Sequence, residues 1–119
     1  MVINISEVKN RNYWYIKNEI HSIRSVTAGY ILKVIIETCY LTEEEIAFVT
    51  QIVDKSDADY VKTSTGFGTR GASFEDIIII KENIHNDTKI KASGGIRTKE
   101  DMMKYIMLGC DRIGASKLP

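Results

Sequence analysis

The feature that most constrains the fold is a regular alternation of strand-like and helix-like segments along the 119 residues. Short runs rich in β-branched residues alternate with stretches whose apolar residues recur every three or four positions, as on one face of a helix. Alternation with short loops predicts a parallel sheet with right-handed crossovers, and hence an α/β fold. The five predicted strands are 1–5, 31–38, 59–65, 89–93 and 111–115.

Capping patterns mark where three of the four intervening helices begin. In each, a Ser or Thr is followed three residues later by an acidic residue, the arrangement that satisfies free amides at a helix start. The three pairs are Thr42 with Glu45, Ser73 with Asp76, and Thr98 with Asp101. The turn before each of these helices is therefore short and well defined.

Lysines interrupt three of the predicted strands. Lys33, Lys62 and Lys91 lie 29 residues apart each time. Because side chains alternate across a strand, equivalent positions should point to one side, which is the interior if the sheet closes into a barrel. Burying an ammonium group without a partner costs several kcal/mol, so Lys62 and Lys91 in β-branched or apolar surroundings indicate chemistry. Lys33 fits equally well as an ordinary lysine that reaches solvent from a strand start.

Glycine-rich loops follow the lysine-bearing strands. STGFGTRG at 64–71 follows the third strand, and SGGIRT at 93–98 follows the fourth. In α/β barrels the active site lies in the loops at the carboxyl ends of the strands, often with a phosphate site after the last two. Gly94 and Gly95, leading into a helix at 98–108, together with Gly114 and Ser116, therefore predict a phosphate-binding cradle.

Two lysines on adjacent strands have a specific chemical use. An amine attacks a carbonyl only when it is unprotonated, and burial or a neighbouring cation lowers the pKa of a lysine. One lysine of the Lys62–Lys91 pair would be the nucleophile, while the other lowers its pKa and relays protons. The residues alone thus predict a Schiff-base aldolase acting on a phosphorylated aldehyde. A sugar-phosphate isomerase on a similar barrel is an alternative, but it would use a carboxylate base rather than paired lysines.

Composition excludes several other classes of protein. Sixteen basic and sixteen acidic residues cancel, so no net charge favours nucleic acid or a membrane surface as a partner. Cys39 and Cys110 stand alone, which argues against a metal site and against a disulfide framework. The start of the chain lacks the pattern of a signal peptide. We expect a cytoplasmic protein.

Several segments resemble deoxyribose-phosphate aldolases in collinear order. They are MVINI at 1–5, KVIIET at 33–38, ADYVKTSTGFGTRGAS at 58–73, KASGGIRTKEDM at 91–102 and DRIGAS at 111–116. The resemblance implies a metal-free class I aldolase with a (β/α)8 barrel and no cofactor. Such an enzyme reversibly cleaves 2-deoxy-D-ribose 5-phosphate to acetaldehyde and D-glyceraldehyde 3-phosphate. By the same resemblance, Lys62 forms the Schiff base, Lys91 assists, and the substrate phosphate contacts Gly66, Gly94, Gly95, Gly114 and Ser116.

The length of the chain sets an expectation about domain organisation. A complete barrel typically needs about 250 residues, so residues 1–119 are interpreted as one domain, the C-terminal part of an aldolase barrel. We expect it to be truncated at the N-terminus and to lack the closing helix. An aspartate that precedes MVIN in the family falls outside it. Two hypotheses remain: an aldolase, or a catalytically inactive half-barrel that retains at most a phosphate site. Open sheet edges predict homo-oligomerisation.

Overall fold

A computed structural model of the chain describes residues 1–114, which form one parallel sheet with helices between its strands. The strands are β1 (Lys33–Ile35), β2 (Tyr60–Lys62), β3 (Lys89–Ser93) and β4 (Arg112–Gly114). The helices are α1 (Ile5–Lys9), α2 (Tyr13–Val26), α3 (Glu43–Lys55), α4 (Phe74–Asn83) and α5 (Lys99–Met107), and one 3₁₀ turn covers Thr38–Tyr40.

The strands lie in the order β1-β2-β3-β4, and every neighbouring pair is parallel. Each strand is joined to the next by a helix, so sequence order and spatial order coincide. This arrangement confirms the predicted α/β class and forms part of an α/β barrel. It places the carboxyl ends of all four strands, and the loops that follow them, at one edge of the sheet.

The first predicted strand, 1–5, is wrong in extent. It contributes only one parallel bridge, between Val2 and Ile35, with the Ile3 amide donating to the Ile35 carbonyl. Ile5 already begins α1, because the Asn4 side chain accepts a hydrogen bond from the Glu7 amide and caps a short helix. Residues 1–114 therefore contain four strands and a bridge rather than five strands.

The other strands begin close to their predicted positions, but β1 and β2 end three residues early, at Ile35 and Lys62. β3 ends at Ser93 as predicted, and β4 is described as far as Gly114. In β1 the reason is Glu37, which has φ 53° and ψ 65°. A left-handed residue cannot continue an extended strand. Hydrogen bonds to β2 and the residue after it nevertheless continue, from the Ile36 amide to the Lys62 carbonyl and from the Thr38 amide to the Thr63 carbonyl. Residues 36–38 therefore stay beside β2, but their side chains no longer alternate between the two faces as they do in a strand.

Side-chain caps begin the helices where the sequence predicts them. Thr42 and Ser73 form complete capping boxes with Glu45 and Asp76. At α5 the Thr98 hydroxyl accepts from the Asp101 amide, which is the first half of the same motif. These caps fix the start of each helix next to the loop that leaves the preceding strand.

The hydrophobic core lies between the sheet and its helices. Alternate strand residues Val34, Val61, Ile90 and Ala92 point towards it and are almost completely buried. The helices contribute a set of equally buried aliphatic side chains: Ile16, Ile20, Ile46, Val49, Ile52, Ile77 and Ile80. We call this helix-covered side the outer face of the sheet and the opposite side the inner face. In the part of the chain that the structure describes, no helix is both long and apolar enough to cross a membrane.

Candidate active site

The inner face brings the two predicted active-site lysines side by side. Lys62 of β2 and Lys91 of β3 are direct partners in the parallel register. Partners in a parallel ladder point to the same side of the sheet, so both side chains project from the inner face. Their neighbours Val61 and Ile90 point to the buried outer face. The 29-residue spacing therefore corresponds to real structural equivalence for this pair.

Lys33 is on the same face but not in the same layer. Its register partner is Tyr60, whereas Lys62 lies opposite Ile35. The equal spacing of the three lysines in sequence is thus not an equal position in the sheet for Lys33, because the β1–β2 register is offset by two residues. Its ammonium lies 5.6 Å from the centre of the Tyr60 ring.

Positive charge dominates the inner face. Lys89 and Arg112 also approach the Tyr60 ring, at 5.9 Å and 5.0 Å from its centre. Partial burial lowers the pKa of Lys91 below its ordinary value, and the positive charges of Lys33, Lys62 and Arg112 lower that pKa further. A lysine with a lowered pKa exchanges protons more readily near neutral pH than an ordinary lysine does.

The loops after β2 and β3 are packed against each other by their glycines. A Cβ atom on Gly71 would lie 2.1 Å from the carbonyl of Gly94, so no larger residue fits at position 71. The Ala72 amide donates to the carbonyls of Ser93 and Gly94, at 3.0 and 3.1 Å. These contacts hold the end of the 64–71 loop directly against the SGG turn.

The predicted phosphate-contacting glycines have different local roles. Gly94 and Gly95 have φ of 80° and 73°, a conformation that favours glycine. The Gly94 amide donates to the Gly114 carbonyl at 3.3 Å, whereas the Gly95 amide has no acceptor among residues 1–114. Gly66 lies in the loop after β2. Ser116 lies outside the described residues.

Gly114 allows β4 to approach the lysine of β3. A Cβ atom at this position would come within 3.3 Å of Lys91 Cε and within 3.3 Å of Ser93 Cβ. Any side chain here would therefore push on the Lys91 chain. Gly114 thus shapes the surroundings of Lys91 as well as the turn beside Gly94.

A buried carboxylate that the sequence motifs did not single out as functional lies at the same edge. Glu37, 6% exposed, accepts hydrogen bonds from the Thr65 amide at 3.0 Å and from the Thr65 hydroxyl. The signal that could have found it is an acidic residue at the carboxyl end of a predicted buried strand, where a solvated charge is not expected. Its left-handed backbone is not visible in the sequence.

Arg70 of the 64–71 loop is engaged within the chain. Its guanidinium donates to both carboxylate oxygens of Asp76, at 2.7 and 3.1 Å, and to the Gly71 carbonyl. The hydrogen bonds that Arg70 donates to the Asp76 carboxylate raise the pKa of Arg70. Asp76 also belongs to the capping box of α4, so this ion pair ties the 64–71 loop to the helix that follows it.

A cavity of about 330 Å³ lies at the opposite edge, beside the amino ends of the strands. Its walls include Asp54, Asp59 and Asn86. Both carboxylates are already used structurally: Asp54 accepts from the His85 and Asn86 amides, and Asp59 accepts from Arg24 and the Leu32 amide. Lys89 and Arg112 also line this cavity, whereas Lys62, Lys91 and the glycine-rich loops do not.

Comparison with curated proteins identifies close relatives. The chain is 54% identical over 117 residues to a deoxyribose-phosphate aldolase from Clostridium botulinum strain Eklund 17B, and the match covers 98% of this chain. It covers 53% of the relative, so the chain spans about half the length of the curated proteins it matches. The matched part is the C-terminal portion of these proteins. No family model matches the chain.

Solved structures share the architecture. The aldolase named QR15 superposes with a TM-score of 0.90 at 43% identity, over 97% of this chain and 52% of that one. The tetrameric deoxyribose phosphate aldolase from Aeropyrum pernix gives a TM-score of 0.75 at 28% identity, over 87% of this chain and 46% of that one. The four-stranded unit described above is similar to about half of each of these structures.

Proposed function

Since the chain is homologous to the C-terminal portion of deoxyribose-phosphate aldolases, we propose that it contributes the Schiff-base chemistry of such an enzyme. The proposed reaction is the reversible cleavage of 2-deoxy-D-ribose 5-phosphate to acetaldehyde and D-glyceraldehyde 3-phosphate. Within this proposal, residues 1–119 form one unit of a (β/α)8 barrel, with Lys62 as the nucleophile and Lys91 as its partner.

The observation that carries the proposal is the register pair of Lys62 and Lys91. Two lysines on adjacent strands of one sheet face, each followed by a glycine-rich loop, are unfavourable for folding and useful for chemistry. The inner face carries further cations, whereas the fully buried aliphatic side chains of the strands lie on the outer face. A structural role explains Val61 and Ile90; it does not explain the lysines beside them.

The proposed steps follow from amine chemistry. The unprotonated Lys62 amine adds to the substrate carbonyl, and loss of water gives an imine. The protonated imine accepts the electron pair of the carbon–carbon bond that breaks, which is why covalent attachment makes cleavage easier. As that bond breaks, a hydroxyl group of the departing fragment loses its proton and becomes the carbonyl of D-glyceraldehyde 3-phosphate, which leaves an enamine on Lys62. Protonation of the enamine on carbon restores the imine, and addition of water then releases acetaldehyde and restores the amine.

Lys91 is the proposed proton carrier for these steps. The pKa of Lys91 is lowered by partial burial and by the charges of Lys33, Lys62 and Arg112. A group that titrates nearer to neutral pH can both accept and return a proton during one turnover.

The phosphate of the substrate is proposed to lie at the 94–95 turn. The Gly95 amide, which has no acceptor among residues 1–114, supports a donor role for this residue, while Gly94 supplies the shape of the turn. Gly66 and Gly114 extend the proposed site along the neighbouring loops, and Ser116 remains part of the proposal from the resemblance alone. Self-association through sheet edges also remains a proposal; the Aeropyrum pernix relative is described as tetrameric.

Reductive trapping tests the nucleophile. The chain is incubated with 2-deoxyribose 5-phosphate and borohydride, and the labelled peptide is identified by mass spectrometry. We expect one adduct, on Lys62, that is abolished in Lys62→Ala. An adduct on Lys33 or Lys91 would contradict the assignment of roles, and no adduct in the wild-type chain would support the catalytically inactive alternative.

Replacement of Gly95 tests the phosphate site. Gly95→Val adds a β-branched side chain to a residue with φ 73°, so both the turn and its amide should be displaced. Gly29→Val is a matched control, because Gly29 also has a positive φ of 86° but lies in the loop before β1, at the other edge of the sheet. Titration with inorganic phosphate should show weaker binding only for Gly95→Val; equal affinity of the two variants would contradict the assignment.

A further inference from the structure

Glu37 lies where the strand pattern of β1 ends, in a conformation that non-glycine residues rarely adopt. Its φ of 53° turns the side chain towards the loop that follows the neighbouring strand β2. The carboxylate is almost fully buried, and no lysine or arginine forms an ion pair with it among residues 1–114. A buried carboxylate of this kind needs hydrogen-bond donors, and the loop supplies them.

Both donors found among residues 1–114 belong to Thr65. One carboxylate oxygen of Glu37 accepts from the Thr65 amide at 3.0 Å, and the other accepts from the Thr65 hydroxyl. Because the hydroxyl proton is committed to Glu37, the hydroxyl oxygen is oriented to accept, and it accepts from the Phe67 amide at 3.1 Å. A continuous chain of hydrogen bonds thus runs from Glu37 through Thr65 to Phe67, around Gly66.

The same loop has other anchors further along the chain. A Cβ atom on Gly68 would lie 2.4 Å from the Cys39 sulfur and 3.4 Å from a Glu37 oxygen, so the loop also packs on this strand end. Arg70 and Ala72 hold the far end of the loop to Asp76 and to the SGG turn. Between these anchors Phe67 is 95% exposed. Thr63 and Ser64, which directly follow Lys62, are held by hydrogen bonds with Ser93. Within residues 1–114, the next part of the loop, just before Gly66, is held by the contacts between Glu37 and Thr65.

We infer that Glu37 is a positioning residue, which orients Gly66 for the phosphorylated end of the substrate through Thr65. The inference rests on the proposed function, since it assigns a role within the same site. Glu37 acts on the loop and not on Lys62, because Lys62 lies within β2 and is held by its register with Ile35 and Lys91. Loss of the carboxylate should therefore weaken recognition of a phosphorylated substrate and spare the attack of Lys62 on a small aldehyde.

Borohydride trapping at a series of aldehyde concentrations tests this separation. Two compounds are compared, 2-deoxyribose 5-phosphate and acetaldehyde, and the half-maximal concentration for adduct formation on Lys62 is measured for each. In Glu37→Gln the amide cannot accept from both Thr65 donors, so we expect the half-maximal concentration of the sugar phosphate to rise about tenfold. The value for acetaldehyde should stay within about twofold of the wild type.

Three further variants complete the test. Thr65→Val removes the hydroxyl link without changing Glu37, and it should produce the same selective rise; it decides the question if Glu37→Gln does not fold. The double variant should be no worse than either single one, because both remove one connected unit. Glu44→Gln is the matched control, since Glu44 is exposed and forms only a 3.8 Å ion pair with Arg11.

The outcomes separate the inference from the proposed function. No shift for the sugar phosphate, or equal shifts for the two compounds, would overturn the positioning role of Glu37 while leaving the Schiff-base chemistry intact. Absence of a Lys62 adduct with either compound in the wild-type chain would instead overturn the proposed function and, with it, the premise of the inference.

Discussion

The two faces of the sheet differ more than any other two regions of the molecule, although the same three-residue and five-residue strands supply both. On the outer face, Val34, Val61, Ile90 and Ala92 are at most 1% exposed beneath the helices. On the inner face, the alternate positions of those strands carry lysines, an arginine and Tyr60. Alternation along a strand thus separates two environments that are one residue apart in the chain.

This difference shows where stability and chemistry are located. The outer face buries apolar area, which is the main favourable contribution to folding. The inner face collects like charges: the pKa of Lys91 is lowered first by partial burial and then by the positive charges of Lys33, Lys62 and Arg112. A face that does little for stability is free to carry groups that folding alone would not select, and the proposed nucleophile lies on it.

Two adjacent residues of β3, one on each face, provide the most direct test of this difference in stability. Ile90→Ala removes a side chain that is 1% exposed in the core, and we expect it to lower the free energy of unfolding by about 2–5 kcal/mol. Lys91→Met changes the next residue, on the inner face. It removes a partly buried charge that Lys33, Lys62 and Arg112 repel, so the free energy of unfolding should stay unchanged or rise slightly. Urea unfolding followed by circular dichroism measures both.

The outcome that contradicts the comparison is equal destabilisation. If Lys91→Met costs as much as Ile90→Ala, the inner face contributes to folding and the separation of roles fails. Leu32→Met, a conservative change of another buried core residue, serves as a control for the method because volume is nearly conserved.

The next largest expected effect is a loss of stability at alkaline pH that arises from the buried Cys110 thiol. Burial and the charge of Asp111 raise the pKa of the Cys110 thiol from 9.0 to about 11. The folded state therefore keeps a proton that the unfolded chain releases, so this stabilisation is complete below pH 9 and is lost as the pH rises through about 11. We expect a loss of roughly 2 kcal/mol, measured as the free energy of unfolding at successive pH values.

Cys110→Ala isolates this contribution. Without the thiol, the decline between pH 9 and 11 should largely disappear. A later decline should remain, because burial raises the pKa of Tyr105 from 10.0 to about 12. An unchanged pH profile in Cys110→Ala would show that the thiol is not protected from solvent in the folded chain.

Much of the outer face could be predicted from sequence, because the hydrophobic period and the caps are local signals. Thr42, Ser73 and Thr98 begin their helices as predicted, and Val34, Val61 and Ile90 follow the strand alternation. The helix at Ile5–Lys9 was missed although Asn4 and Glu7 form a capping signal, since the apolar residues of 1–5 suggested a strand. In the prediction, the strand-like composition of residues 1–5 outweighed the capping signal at Asn4.

The candidate site was only partly predictable, because it depends on register and on backbone conformation. Equal spacing correctly indicated that Lys62 and Lys91 are neighbours, but it could not show that Lys33 lies opposite Tyr60. The contact between Gly71 and Gly94 joins residues that are distant in sequence. The turn at Glu37 has no sequence signature, since glutamate seldom adopts a positive φ.

The smallest expected effect concerns the inner face and has the opposite sign to that of Cys110. The pKa of Lys91 lies below the ordinary 10.5, so below pH 10.5 the unfolded chain binds more protons than the folded one over the interval between the two pKa values. Stability attributable to Lys91 therefore rises with pH across that interval and is constant above it. Because Lys91 is only partly buried, the rise should be small, and it is best resolved in the Cys110→Ala background, where the opposing decline is removed. Lys62→Met should reduce this rise in stability, since one of the charges that lower the pKa of Lys91 is then absent. NMR titration of the Lys91 side chain should show its pKa moving towards 10.5. A Lys91 pKa that is unaffected by Lys62→Met would mean that the two ammonium groups do not interact, and the outer and inner faces would then differ in burial alone and not in charge coupling.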